Sequence, residues 1–170
     1  MKTYSIAIMV RNEFGVLNRV TSMFRRRQFN IGCLTVSETE TEELSRITVQ
    51  FEGESDRAKE QLVAQLAKLP DVISFKEFDP DESVSCELLL IKMTNDNETR
   101  PQLLDAADAF HAKIVDYTRD SIIFRMAGTS HRIDNFIDLM RDFEILEVCR
   151  TGVVSLERGS KVMREMPALS

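Results

Sequence analysis

Histidine is scarce in this chain. It occurs only as His111 and His131, neither of them among cysteines or carboxylates at metal-ligand spacing. That argues against metal catalysis and leaves each histidine as a surface or helix-cap residue. Cysteine is scarce too: Cys33, Cys86 and Cys149 are odd in number and widely spaced. A disulfide framework and a C-x-x-C metal or redox motif are both excluded, and buried spectator thiols remain. There is no G-x-S-x-G elbow, no G-x-x-x-x-G-K-[ST] phosphate loop and no G-x-G-x-x-G. The run R-G-S-K at 158–161 is too short for any of these and reads as a mobile tail. No stretch approaches the roughly 18 apolar residues of a membrane span. The opening M-K-T-Y-S-I-A-I-M-V-R-N lacks a small-residue cleavage site, so a cytoplasmic chain is expected. Positive charge is short as well, and a formal net charge of -6 opposes binding to a nucleic-acid backbone. The run Arg25, Arg26, Arg27 falls at the expected C-terminal end of a helix, where cations offset carbonyl dipoles. Carboxylates are plentiful, but they sit in loops and on wet helix faces, as Glu38, Glu40, Glu42 and Glu43 do, and no acid–base pair stands out.

The 170 residues, 43% hydrophobic and 29% charged, suffice for one ordinary domain or two small ones. Tyr4, Ile6, Ile8 and Val10 alternate as a strand, and Leu17, Val20 and Phe24 then recur at helical spacing over 15–27. N-I-G-C-L-T-V-S and L-S-R-I-T-V-Q-F are rich in β-branched residues and flank the acidic turn E-T-E-T-E-E, which predicts a hairpin. A helix over 55–68 starts behind a Ser55 cap, carries Leu62, Leu66 and Leu69, and is broken by Pro70-Asp71 ahead of the strand V-I-S-F-K-E-F.

D-P-D-E-S at 79–83 is polar, contains proline and has no apolar period, so it reads as a linker. The second half repeats the order of the first: the strand S-C-E-L-L-L-I-K-M-T, a helix over 99–110 with Leu103, Leu104, Ala107 and Phe110 inward, and the strands K-I-V-D-Y-T and S-I-I-F-R-M-A. A helix over 130–142 with Ile133, Phe136, Ile137 and Met140 on one side and the strand E-I-L-E-V-C-R complete it. Gly53, Ser55 and Arg57 reappear at the same spacing as Gly128, Ser130 and Arg132. The chain therefore reads as α+β, two tandem ferredoxin-like βαββαβ domains, each an antiparallel four-stranded sheet with two helices on one face. The other face of such a sheet is bare, and its edges are open. Leu88-Leu89-Leu90-Ile91 is apolar on both sides of its strand, which predicts a second sheet covered on both faces by a copy of the chain or by another protein.

The stretch R-N-E-F-G-V-L-N-R-V at 11–20 places Asn12 and Gly15 where the first strand hands over to the first helix. A helix starting near Gly15 offers free N–H groups over about residues 15–18 and the positive end of its dipole, which suit a carboxylate. Gly15 has no Cβ to hinder approach. Asn12 and Asn30 each carry a donor and an acceptor, so together they suit a ligand bearing both an ammonium and a carboxylate, an α-amino acid. Asn and Gly are also ordinary turn formers, and on pattern alone a turn suffices to explain them.

The segments R-N-E-F-G-V-L-N-R-V, F-N-I-G-C-L-T-V and L-S-R-I-T-V resemble the ACT domain of the small regulatory subunit of acetolactate synthase. A-G-T-S near Gly128 and R-T-G-V-V-S-L-E-R-G at 150–159 extend the resemblance, which spans about 2–164. It implies a non-catalytic chain with no cofactor of its own, which activates a large catalytic subunit that carries thiamine diphosphate, Mg and FAD. It further implies feedback inhibition by valine, or by leucine or isoleucine, bound between the ACT domains of a homodimer. By the same resemblance the effector is held at Asn12, Gly15 and Asn30 and by the amides near Val16 and Leu17, with Ile31 lining the apolar end. The implied division is an ACT domain at 1–78, a linker at 79–83, a C-terminal ferredoxin-like domain at 84–158 and a tail at 159–170. Phe14 and Asn18, beside the site, match no fixed residue of the family, which leaves effector preference open.

Three other classes share parts of the pattern. A free-standing ACT-type sensor gives no reason for the doubly apolar strand of the second half. An RNA-binding domain needs exposed aromatics on its central strands, and only Phe51 is suggestive. A small acylphosphatase-like hydrolase shares the strand order, and turnover of an acyl phosphate would identify it.

Overall fold

The structure is a computed structural model that describes residues 2–79 and 81–163. In order the elements are β1 (Lys2–Arg11), α1 (Val16–Arg26), β2 (Ile31–Glu38), β3 (Leu44–Gly53), α2 (Asp56–Leu66) and β4 (Val72–Glu77). The second set is β5 (Ser83–Thr94), α3 (Arg100–Ala109), β6 (Lys113–Tyr117), β7 (Ser121–Gly128), α4 (Ser130–Met140), β8 (Ile145–Arg150) and β9 (Val154–Glu157). The first sheet has the order β2-β3-β1-β4 and the second β6-β7-β5-β8, with β9 pairing β5 off that path. All the registered pairs are antiparallel. The fold is thus the expected tandem pair of βαββαβ units.

The repetition extends to irregularities that the sequence pattern does not display. The pairing of β1 with β4 shifts register between Met9 and Val10, and that of β5 with β8 shifts between Lys92 and Met93. Bulges also fall between Ile31 and Cys33 in β2 and between Ile114 and Asp116 in β6. Helices α1 and α3 end alike: Gln28 and His111 both adopt φ of 58°, and Phe29 N–H reaches Phe24 O as Ala112 N–H reaches Ala107 O. His111 is therefore the left-handed residue that stops its helix. The caps differ by one position. Ser55 accepts from Ala58 N–H as expected, but the matching cap in the second unit is Thr129, which accepts from Arg132 N–H, and Ser130 is the first helical residue.

Each unit has one core between its sheet and its helices. In the first, Ile6, Ile8 and Val10 of β1 meet Val16, Val20 and Phe24 of α1 and Leu62 and Leu66 of α2. Val16 takes the buried position that periodicity assigned to Leu17, and Leu17 is 41% exposed. In the second, Leu89, Ile91 and Met93 meet Leu103, Ala107, Ile133, Phe136 and Met140. The cysteines lie outside both cores, against the expectation of burial: Cys33 and Cys86 are half-buried and Cys149 is exposed.

By contacts, residues 2–84 with 154–163 form one compact unit and Ser85–Val153 the other. Residues 154–163, read from sequence as the end of the second domain and the start of a tail, therefore belong with the first unit. Met163 packs on Ala7 and Met9, on the side of the first sheet that carries no helix. That face is covered, contrary to expectation. In the second unit Leu89 and Ile91 of β5 are fully buried, while Leu88 and Leu90 on the other face are 37% and 38% exposed within the single chain, the face expected to meet a partner. The last seven residues of the expected tail, 164–170, lie outside the described residues.

Candidate effector site at the start of the first helix

Helix α1 begins without a side-chain cap and without an acid in its first turn. Gly15 occupies the cap position at φ 80° and ψ −4°, a left-handed conformation that costs glycine little. Val16 N–H reaches Glu13 O at 3.4 Å, and Arg19 N–H closes the first full turn on Gly15 O at 3.0 Å. Among the described residues nothing accepts from the N–H groups of Leu17 and Asn18. The expected open amides are thus present, at Leu17 and Asn18 more than at Val16.

Arg19, one turn into the helix, adds a cation. Its Nε donates to Asp71 Oδ2 at 2.6 Å, and the Asp71 side chain is only 10% exposed. Its Nη1 lies 3.2 Å from where a Cβ on Gly15 would stand. The spacing of four residues between Gly15 and Arg19 was the available signal, since such neighbours share a helix face. The Pro70-Asp71 break that ends α2 supplies the carboxylate that holds the guanidinium there.

Asn12 is anchored. Its backbone N–H donates to Glu43 O at 2.7 Å and its Nδ2 to Glu42 O at 3.0 Å, which ties the start of the site to the β2–β3 turn. Its Oδ1 remains as an acceptor. An open hollow of about 530 Å³ beside it is lined by Arg11, Asn12, Glu13, Glu42, Glu43, Leu44 and Ile73. The carboxylates lining that hollow would suit an ammonium, and the open amides with Arg19 would suit a carboxylate.

Asn30 is elsewhere. It is exposed, its carbonyl accepts from Glu52 N–H at 3.3 Å, and Ile31 next to it pairs with Phe51, which pairs with Tyr4 near the start of β1. Asn12 follows Arg11 at the opposite end of the same strand. The seven-residue rise from Tyr4 to Arg11 is about 24 Å. Within one chain, then, the two carboxamides do not meet. Ile31 is half-buried against the first core.

At the Asn30 end a polar cluster closes the sheet. Tyr4 Oη donates to Asp56 Oδ1 at 3.0 Å, and Lys2 pairs with the same oxygen at 3.0 Å. Hydrogen bonds from Lys2 and then Tyr4 hold the Asp56 carboxyl below its ordinary range. Among the described residues no group of three or more His, Cys, Asp or Glu side chains is arranged to hold a metal.

The first unit matches the family model described as "AHAS small subunit-like ACT domain" over residues 6–74, and residues 86–159 match the model "Small subunit of acetolactate synthase". A probable acetolactate synthase small subunit of Archaeoglobus fulgidus is 44% identical over 93% of this chain and 98% of its own length. The acetolactate synthase small subunit of Bacillus subtilis is 40% identical over 92% of this chain and 91% of its own. The crystal structure of the acetolactate synthase small subunit from Thermotoga maritima superposes with a TM-score of 0.86 at 32% identity, covering 95% of this chain and all of that one. The agreement spans both units, and this chain belongs to the acetolactate synthase small-subunit family.

Proposed function

We propose that the chain is the regulatory subunit of an acetolactate synthase, which raises the activity of a large catalytic subunit and makes it sensitive to a branched-chain amino acid, valine, leucine or isoleucine. The effector lies between the first units of two copies, on Asn12, Gly15 and the Leu17 and Asn18 amides of one and Asn30 of the other. The catalytic cofactors belong to the large subunit, and this chain carries none.

The observation that supports this most is the separation of Asn12 from Asn30 along a sheet whose last strand is β2. Among the described residues strand β2 lies at the end of the sheet, paired with β3. It runs from the Asn30 end to Glu38, which pairs with Ser45 beside Val10, at the Asn12 end. Two copies that join β2 to β2 antiparallel, as edge strands are prone to do, bring Asn30 of each copy to the Asn12 and Gly15 end of the other. Phe14, fully exposed at that end, and Leu17, half-exposed beside the amides, are apolar surface that a second copy and an aliphatic ligand would cover. The ligand's carboxylate takes the open amides and Arg19, and its ammonium takes Asn12 Oδ1.

Regulation then follows from linkage. An effector that prefers the low-activity arrangement by about 1 to 3 kcal/mol binds the two states with affinities differing by roughly 5- to 150-fold. Titration calorimetry of the isolated chain with valine, leucine and isoleucine, alongside sedimentation velocity, tests the proposal. A dimer that binds at least one of them supports it. A monomer, or a dimer that binds none, refutes it.

A further inference from the structure

The helix-free face of the first sheet is closed by a segment far away in sequence. Ala7 is fully buried there and Met9 is 6% exposed, with Met163, itself 8% exposed, packed on them beside Leu44, Ile73 and Phe78. Among the described residues three side-chain ties join the segment to the first sheet, besides the pairing of β9 with β5 and the bond from Arg158 N–H to Glu82 O. Ser74 Oγ donates to Met163 O at 3.2 Å, Lys76 Nζ pairs with Glu157 at 2.8 Å, and Arg46 Nη2 donates to Ser155 O. The Glu157 side chain is only 8% exposed, and the Arg46 guanidinium stands over the Phe78 ring at 5.4 Å, where burial pushes its pKa down. A cavity of about 340 Å³ lies between the segment and the β2–β3 hairpin, lined among others by Thr39, Glu40, Arg46, Leu156 and Lys161.

That same hairpin turn carries the anchor of the effector site. Thr39 N–H bonds Leu44 O at 3.1 Å and Leu44 N–H bonds Thr41 O at 2.9 Å, so residues 39–44 form one closed unit. From one side Asn12 holds it through Glu42 O and Glu43 O. From the other, Leu44 packs in the cluster that contains Met163, and Arg46 at the foot of β3 bonds Ser155 O. The route from Asn12 to the C-terminal segment is therefore a short run of direct contacts through the turn.

We propose that residues 154–163 are a strap whose docking on the first sheet sets the geometry of the effector site through the β2–β3 turn. The coupling rests on the proposed effector site. The docked strap holds the turn where Asn12 finds both carbonyls. Release of the strap frees the turn and weakens effector binding, and by reciprocity a bound effector tightens the strap. Such coupling requires the strap to exchange between a docked and a released state whose balance the site biases.

Charge reversal in the full-length chain tests this. Lys76→Glu and Glu157→Lys should each loosen the strap, and the double variant should restore it. One readout needs no effector: the rate at which dilute peroxide oxidises Met9 and Met163, followed by peptide mass spectrometry. The other is the dissociation constant for valine by calorimetry. Each single variant is expected to expose both methionines and weaken valine binding roughly fivefold or more. The double variant should return both readouts to within about twofold of the parent, the mark of a direct pair interaction. Exposed methionines with unchanged affinity would overturn the coupling while leaving the strap in place. Methionines unchanged in both single variants would overturn the strap itself. A parent chain that binds no branched-chain amino acid would defeat the effector site and the coupling with it, while the peroxide arm still decides the strap.

Discussion

β1 and β5 occupy the same place in their sheets and are comparably apolar, yet they are buried in different ways. From Ile6 to Val10 every residue of β1 is buried, whereas β5 alternates, with Leu89, Ile91 and Met93 inside and Leu88 and Leu90 more than a third exposed. The difference runs against side-chain size. The fully covered face carries Ala7, with Thr48 and Ser74 buried around it, and the open face carries leucines. Small side chains let a second segment approach closely enough to exclude water and to place a backbone carbonyl on Ser74 Oγ. The larger apolar residues of the second sheet form a surface that nothing in the described chain covers, the kind of patch that marks a binding face.

Substitution separates the two faces most sharply. Ala7→Asp should cost several kcal/mol, because it forces a charge with no partner into a closed site, whereas Leu90→Asp on the open face should cost less than about 1 kcal/mol. Urea unfolding of the full chain reads both, and equal costs would erase the distinction. The second unit has its own weak point. Arg150 donates to Glu87 at 2.6 and 3.0 Å and to Asp134 at 2.7 Å, and the Glu87 side chain is only 3% exposed. Hydrogen bonds to Glu87 and then Asp134 keep the Arg150 guanidinium protonated well above its ordinary range. Arg150→Ala should then destabilise the second unit by roughly 3 kcal/mol, because it strands a buried carboxylate, while the transition of the first unit stays put.

Gly15→Asp is expected to abolish feedback and keep activation of the large subunit. Its carboxylate would sit against the open amides and Arg19, adding about 1 to 4 kcal/mol of repulsion toward a ligand carboxylate some 4 Å away. Gly15→Asn is the proper control, because both residues tolerate the left-handed backbone and only one is charged. Inhibition retained by the Asp variant in the reconstituted enzyme would defeat the site. Asn30→Ala should give a milder loss, about tenfold in half-inhibitory concentration, in line with removal of one or two hydrogen bonds. The smallest effect is electrostatic. The folded pKa of Asp56 lies below the ordinary aspartate value, so its contribution to stability is present above that ordinary value and is lost as pH falls through the folded one. Asp56→Asn should flatten the acid side of the stability profile below about pH 4 in the first unit alone.

Much of the fold was legible because apolar periodicity and turn residues act locally. Leu62 and Leu66 fell where helical spacing put them, and Ser55 caps the helix it precedes. The repeat was visible in Gly53 and Gly128, which close equivalent strands. What escaped was set by contacts between segments distant in sequence. Nothing in R-G-S-K or its neighbours signals that Met163 will reach Ala7, and no local pattern distinguishes the covered β1 from the half-open β5. The site was legible in part for the same reason. Gly15 and the amides after it are local, and the open ones are found at Leu17 and Asn18, one residue later than read, because Val16 N–H reaches Glu13 O. Arg19 depends on Asp71, and the distance between Asn12 and Asn30 depends on strand pairing. Neither can be read from a run of ten residues.

Complementation of mixed dimers tests most directly whether the effector pocket is assembled from two copies. Gly15→Asp and Asn30→Ala chains, each unable to bind valine tightly alone, are unfolded together, refolded and titrated. If the pocket joins Gly15 of one copy to Asn30 of the other, every mixed dimer contains one intact pocket, and high-affinity valine binding returns on mixing. If the pocket lies within a single chain, mixing restores nothing, and assembly from two copies is contradicted.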